Sequence, residues 1–196
     1  MFLRNYYNLV ARYNLNFEQN VSSGAFGDGS LRIKNVDGGY INRFITGYEQ
    51  YYCITLSQLT PVFSLTGRGI VFGTGIDEVT FDDYKMSAFI GSGLNTSAVS
   101  ISNITYDESS NKFNCTSKHT LSNTTAGEIV IREYGIQITP DSYGAGFLIF
   151  RDLLEPYALQ PSESVNVILN ASYTMPTIDE SGNIVSGSQA YGLAIE

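Results

Sequence analysis

The alternation of apolar and polar residues is clearest near the C-terminus. There Val165, Val167, Leu169, Ala171, Tyr173 and Met175 fall on one side of an extended chain, and Asn166, Asn170, Ser172 and Thr174 on the other. A period of two marks a strand with one buried face, and Ile168 is the single exception to it. From residue 31 onward the chain repeats this theme. Short apolar runs such as "LRIKNV", "YYCITLSQL", "GIVFG", "KFNCTSKHTL", "EIVIREYGIQIT" and "GFLIFRDLL" are punctuated by Gly, Asn, Asp and Pro. Strands this short and this evenly spaced predict an all-β fold, an antiparallel β-sandwich of Greek-key or jelly-roll-like build. The polar tip in "YDESSNKF" at 106–113 predicts a hairpin, and so does "VDGGY" at 36–40, where Asp37-Gly38 suits a tight turn. "FDDYKM" has the spacing of a single helical turn.

The N-terminus follows another period. Leu3, Tyr6, Tyr7, Val10 and Tyr13 lie at i, i+3, i+4, i+7 and i+10, one stripe of an amphipathic helix over 2–14. A helix this short needs a surface to rest on. That surface is either its own domain or a neighbouring subunit, for which these five residues would form a partner-binding arm. "QNVSSGAFGDGS" at 19–30 is a Gly/Ser-rich linker. The expected organisation is an arm and linker over 1–30, a body over 31–176 and a tail over 177–196.

Composition narrows the partners. Charged residues make up 15% of the 196 and aromatic residues 13%, with 14 tyrosines and no tryptophan. Asn, Ser, Thr and Tyr supply the polarity, a mix that suits β surfaces covered by neighbours. The net charge is −8, and no segment gathers Lys and Arg into a phosphate-binding patch, so direct nucleic-acid binding is not expected. No apolar run reaches the length of a membrane span, and "MFLRNYYNLV" lacks the apolar core of a signal peptide, so a soluble protein folding in a cytoplasm is expected. The sequons at Asn20, Asn95, Asn103, Asn114, Asn123 and Asn170 then read as chance products of composition. Cys53 and Cys115 are too far apart in sequence for a redox or zinc motif and are expected as free, partly buried thiols.

Little in the chain suggests catalysis. His119, the sole histidine, sits in "CTSKHTL" without a nucleophile motif nearby and reads as a surface histidine. Asp77, Glu78, Asp82 and Asp83 form the densest acidic cluster. They lack the alternating ligand pattern of a calcium loop, and capping of a turn in solvent is expected of them. Gly67, Gly69, Gly73 and Gly75 are not followed by the helix start a phosphate loop requires and are read as bulges and turns. No catalytic residue, cofactor or metal is assigned.

One resemblance adds to this reading. "GIVFGTGIDEVTFDDYKM", "EIVIREYGIQI" and "FLIFRDLLEPYALQPSESVNVILNASYTMP" resemble a pattern of tailed-bacteriophage virion structural proteins. Its features fall here on Gly73 and Gly75 ending a strand, then Asp83, Tyr84 and Met86, then Glu133, Tyr134 and Gly135, then Arg151-Asp152, and last Pro161 and Glu163. Ile76-Asp77-Glu78 departs from the Thr/Pro turn of that pattern, and residues 177–196 run past its end. The resemblance implies a non-enzymatic accessory β-sandwich subunit of the head, neck or tail, made in the host bacterial cytoplasm. Its partners would be other virion proteins (capsid, portal/neck or tail subunits), met in a symmetric oligomer. A glycan- or host-surface-binding module is the competing function, since tyrosines can line a sugar-binding face.

Overall fold

A computed structural model describes residues 1–8, 33–41, 69–101, 105–138, 146–175, 177–185 and 188–196. Val10, Tyr13, Cys53 and the linker at 19–30 lie outside the described residues. The all-β, antiparallel class expected from the alternation is borne out. In chain order the strands are β1 (Ile33–Lys34), β2 (Tyr40–Ile41), β3 (Gly69–Gly73), β4 (Leu94–Ile101), β5 (Thr105–Asp107), β6 (Lys112–Asn123), β7 (Ile129–Ile138), β8 (Phe147–Leu159), β9 (Ser164–Thr174), β10 (Thr177–Ile178), β11 (Ile184–Val185) and β12 (Ser188–Ile195).

The chain forms two compact units, one of Met1–Ser92 with Ile129–Ala158, the other of Gly93–Glu128 with Leu159–Glu196. Neither coincides with the expected arm, body and tail: residues 1–8 belong to the first unit, and the segment after 176 is part of the second.

In the first unit, β3, β7 and β8 form a three-stranded sheet in that order, and β1 pairs with β2. The β1–β2 hairpin is the one expected at 36–40: Lys34 opposes Tyr40, and Gly38 takes a φ of 89°, a conformation cheap only for glycine. The N-terminal helix begins two residues later than its stripe suggests. Helix covers only residues 4–8 of those described, while Phe2 bridges to Phe150 on β8 and the Leu3 N–H bonds to the Ile149 carbonyl. Leu3 is fully buried with Met86 and Leu148, flanked by Val71 and Val79. Burial of Leu3 within its own unit draws the first residues into strand-like pairing and delays the helix by two residues.

In the second unit the sheet order is β12-β9-β6-β4, with β5 also paired to β6. Period two governs it. Cys115, Ser117, His119, Leu121 and Asn123 on β6 are buried, as are Val165, Val167, Leu169 and Ala171 on β9. Tyr173, by contrast, is half-buried and Met175 exposed. The hairpin at 106–113 forms as expected, with Tyr106 opposite Phe113 and Asn111 at a φ of 51°. The segment expected as a tail is instead regular structure: β12 pairs with β9 from Ser188↔Thr174 to Ile195↔Val167, and β10 with β11 beyond it. Continued pairing satisfies backbone groups that a free tail would leave to water.

Candidate functional site

The first unit buries an ion-pair network. Glu133 and Arg151 are both essentially excluded from solvent, on the adjacent strands β7 and β8. Arg151 Nε donates to Glu133 Oε2 at 2.7 Å, Nη1 to Asp83 Oδ2 at 2.6 Å, and Nη2 to the Asp77 carbonyl at 3.0 Å. Glu133 accepts three more bonds, from the N–H groups of Gly75 at 3.2 Å, Ser87 at 3.2 Å and Ala88 at 2.8 Å. Burial acts to lower the Arg151 pKa, but the hydrogen bonds it donates to Glu133 and Asp83, with their negative charges, outweigh it and hold the guanidinium above its ordinary value. A buried charge is tolerable only when paired and hydrogen-bonded, and here each charged group is.

The glycines fit round this carboxylate. Gly73 opposes Glu133 in the β3–β7 register, and a Cβ on it would lie 2.2 Å from Glu133 Oε1. At Gly75 the corresponding distance is 2.6 Å, and at Gly135 a Cβ would approach the Phe150 carbonyl oxygen to 2.8 Å. Glycine is required at these positions for close approach, not for bulges. The loop from Thr74 to Ser87 is thereby pinned: its amides bond to Glu133, and Thr74 N–H bonds to the Ala88 carbonyl.

The acidic cluster does not converge. Asp83 caps a turn, accepting from the Thr80 N–H and hydroxyl, as expected, but its other duty is to Arg151. Asp82 pairs with Arg4, and Asp77 accepts from the Ser87 hydroxyl. No group of three His, Cys, Asp or Glu arranged to hold a metal occurs among the described residues. The node is enclosed, saturated with hydrogen bonds and positioned to fix a loop; acid–base work would need an oxygen left for substrate.

The N-terminal stripe is divided. Leu3 points into its own core, Tyr6 is half-buried against Phe2 at 4.4 Å between ring centroids, and Tyr7 is 52% exposed beside the partly exposed Phe81. Asn5, which the sequence reading passed over, is 3% exposed and joins two strands: its amide donates to the carbonyls of Lys34 and Leu148 and its oxygen accepts from Lys34 N–H. The helical period places it away from the stripe, so the sequence carried no sign of this role.

His119 is a correction. It is buried, because period two places it with Cys115 and Leu121, and its Nε2 lies 3.0 Å from the Ser117 hydroxyl. Burial lowers its pKa from the usual 6.5. Cys115 is buried on the same face. On the opposite face of the same sheet, Lys112, Asn114, Thr116, Asn170 and Ser172 line a shallow hollow of about 470 Å³, with Thr116 donating to Asn170 at 2.8 Å. No helix among the described residues is long and apolar enough to cross a membrane. No family model, curated protein or solved structure matches the chain.

Proposed function

We propose that the chain is a non-enzymatic structural subunit of a tailed-bacteriophage virion, packed among capsid, portal/neck or tail proteins in a symmetric assembly. One observation carries this reading. The residues that bear the resemblance to virion proteins, Gly73, Gly75, Asp83, Met86, Glu133, Gly135 and Arg151, come from separate segments and meet in one place. There the carboxylate, guanidinium and glycines are interdependent. The short motifs thus act as a physical unit whose product is a fixed loop, the kind of rigid feature on which repeated packing depends. Tyr7, exposed beside the exposed Phe81, over whose ring the Arg4 guanidinium lies at 4.7 Å from the centroid, is the part of the described N-terminal segment left for a partner. Leu3 anchors the segment to its own unit.

The test is the particle. Virions purified from infected cells should carry this chain in fixed stoichiometry, with repeated density that fits the two units, and particles devoid of it would refute the assignment. A second reading, glycan recognition, is favoured by the hydroxyl- and amide-lined hollow at Asn114, Thr116, Asn170 and Ser172. It requires the isolated chain to bind an oligosaccharide, with loss on Asn170→Ala.

A further inference from the structure

The hollow on the five-stranded sheet takes its shape from register. Thr116, Asn170 and Gly192 stand in one row across β6, β9 and β12, and Asn114, Ser172 and Ala190 stand in the next. On β12 both rows end in small, exposed residues, and a Cβ on Gly192 would meet no atom within 4 Å. Polar side chains of β6 and β9 therefore stand beside an open shelf. The space, about 470 Å³, falls within the roughly 300–1,000 Å³ of small-ligand sites.

The groups that reach this space are mainly hydrogen-bond donors. Asn170 accepts the Thr116 hydroxyl through its side-chain oxygen at 2.8 Å, which leaves its NH2 group for an acceptor. Asn114 and Ser172 add an amide and a hydroxyl. Lys112 lies two residues from Asn114 on the same face of β6, about 7 Å along the strand, and is the only charged residue among those lining the hollow. Its ammonium forms no ion pair among the described residues. Asp107, opposite it in the β5–β6 ladder, is held instead by the hydroxyls of Ser109 and Ser110, each at 2.7 Å. An aromatic plane is missing from this face. Tyr191 shares a row with the buried Cys115 and Ala171, so period two turns its ring to the other side.

We propose that the hollow takes an acidic glycan, with the carboxylate of a hexuronate- or sialate-type sugar on the Lys112 ammonium. Oxygens of the same or the adjoining sugar accept from the amides of Asn114 and Asn170. A sugar that has no ring to stack on is held by polar contacts, and charge-assisted hydrogen bonds are about twice as strong as neutral ones. A neutral sugar would gain nothing from the one charge the site offers. The net charge of −8 opposes an anion at long range, but salt screens exposed charges beyond about 8 Å, and no Asp or Glu lines the hollow. This inference names the class of sugar, rests on the glycan reading of the hollow and does not depend on the virion reading.

Calorimetric titration of the full chain tests it, with melting curves alongside. The ligands are hexuronate and sialoside oligosaccharides, each paired with a counterpart whose carboxylate is reduced to a hydroxymethyl group. An acidic member should bind more tightly than its reduced counterpart by about tenfold or more. Lys112→Gln should abolish that preference with the melting transition retained, and Lys112→Arg should keep it. Asn170→Ala should weaken acidic and reduced forms alike. Equal affinity for the two forms, or a preference that survives Lys112→Gln, would overturn the proposal and leave the glycan reading standing. Absence of binding to every member would overturn both.

Discussion

In the first unit a guanidinium and a carboxylate are taken out of water between β7 and β8, and a loop is hung on them. In the second, a broader sheet holds together by alternation, with Leu121, Val165, Val167 and Leu169 buried on one face and Asn114, Thr116 and Asn170 on the other. The difference is one of tolerance. Apolar burial is additive and non-directional, so a sheet built on it loses stability in proportion to what is removed. A buried ion pair is all or none: it contributes little net stability when whole and becomes a large liability when one partner goes.

That contrast can be broken most forcefully at Arg151. Arg151→Met should destabilise the first unit by about 3–5 kcal/mol, because it strands the Glu133 carboxylate in the core. Replacing both residues, Arg151→Met with Glu133→Gln, which removes the stranded charge but leaves an amide oxygen for the N–H groups of Gly75, Ser87 and Ala88, should recover part of the loss. Chemical denaturation of the single and double variants checks this, and equal instability of the two would refute the account of the node.

A smaller effect separates packing from partnership at the N-terminus. Leu3→Ala removes a fully buried side chain and should cost about 2–5 kcal/mol. Tyr7→Ala, at a 52% exposed position, should leave the melting midpoint nearly unchanged while reducing incorporation into particles. A Tyr7 variant that melts early but assembles normally would place that ring in the core.

The smallest effect belongs to His119 in the second unit. Its folded pKa lies below the unfolded value of 6.5, so the unfolded chain takes up the proton first. Stability from this residue is therefore complete above pH 6.5 and declines as pH falls below it, until the folded pKa is passed. Its register neighbours, Ala98 on β4 and Val167 on β9, carry no charge to offset the change. Melting midpoints between pH 7.5 and 5 should fall in the wild type and fall less in His119→Asn. Parallel curves would show that the imidazole is not the titrating group.

The second unit was the more legible in sequence. The alternation in "VNVILNASYTM" and the polar tip of "YDESSNKF" specify β9 and the β5–β6 hairpin through local spacing alone. The same alternation in "KFNCTSKHTL" would have placed His119 on the buried face, had its hydroxyl neighbours not been read as a surface signature. The first unit was legible only in fragments. Gly73, Gly75, Asp83, Glu133, Gly135 and Arg151 were recognisable as a pattern, but their common purpose depends on Gly73 and Glu133 meeting across β3 and β7, sixty residues apart. Asn5 was invisible for the same reason: its partners, Lys34 and Leu148, come from distant strands.

By itself, the sequence determined the fold class, the strand periods and the two hairpin turns, because side-chain alternation and the conformational freedom of Gly38 act over a few residues. Only the tertiary structure decided that Leu3 belongs to the core, that the segment after 176 adds strands to a sheet, and that an arginine, a glutamate and two glycines form one device. Those outcomes rest on burial and on hydrogen bonds between residues remote in the chain. Desolvation makes such bonds obligatory only once folding has brought the partners together.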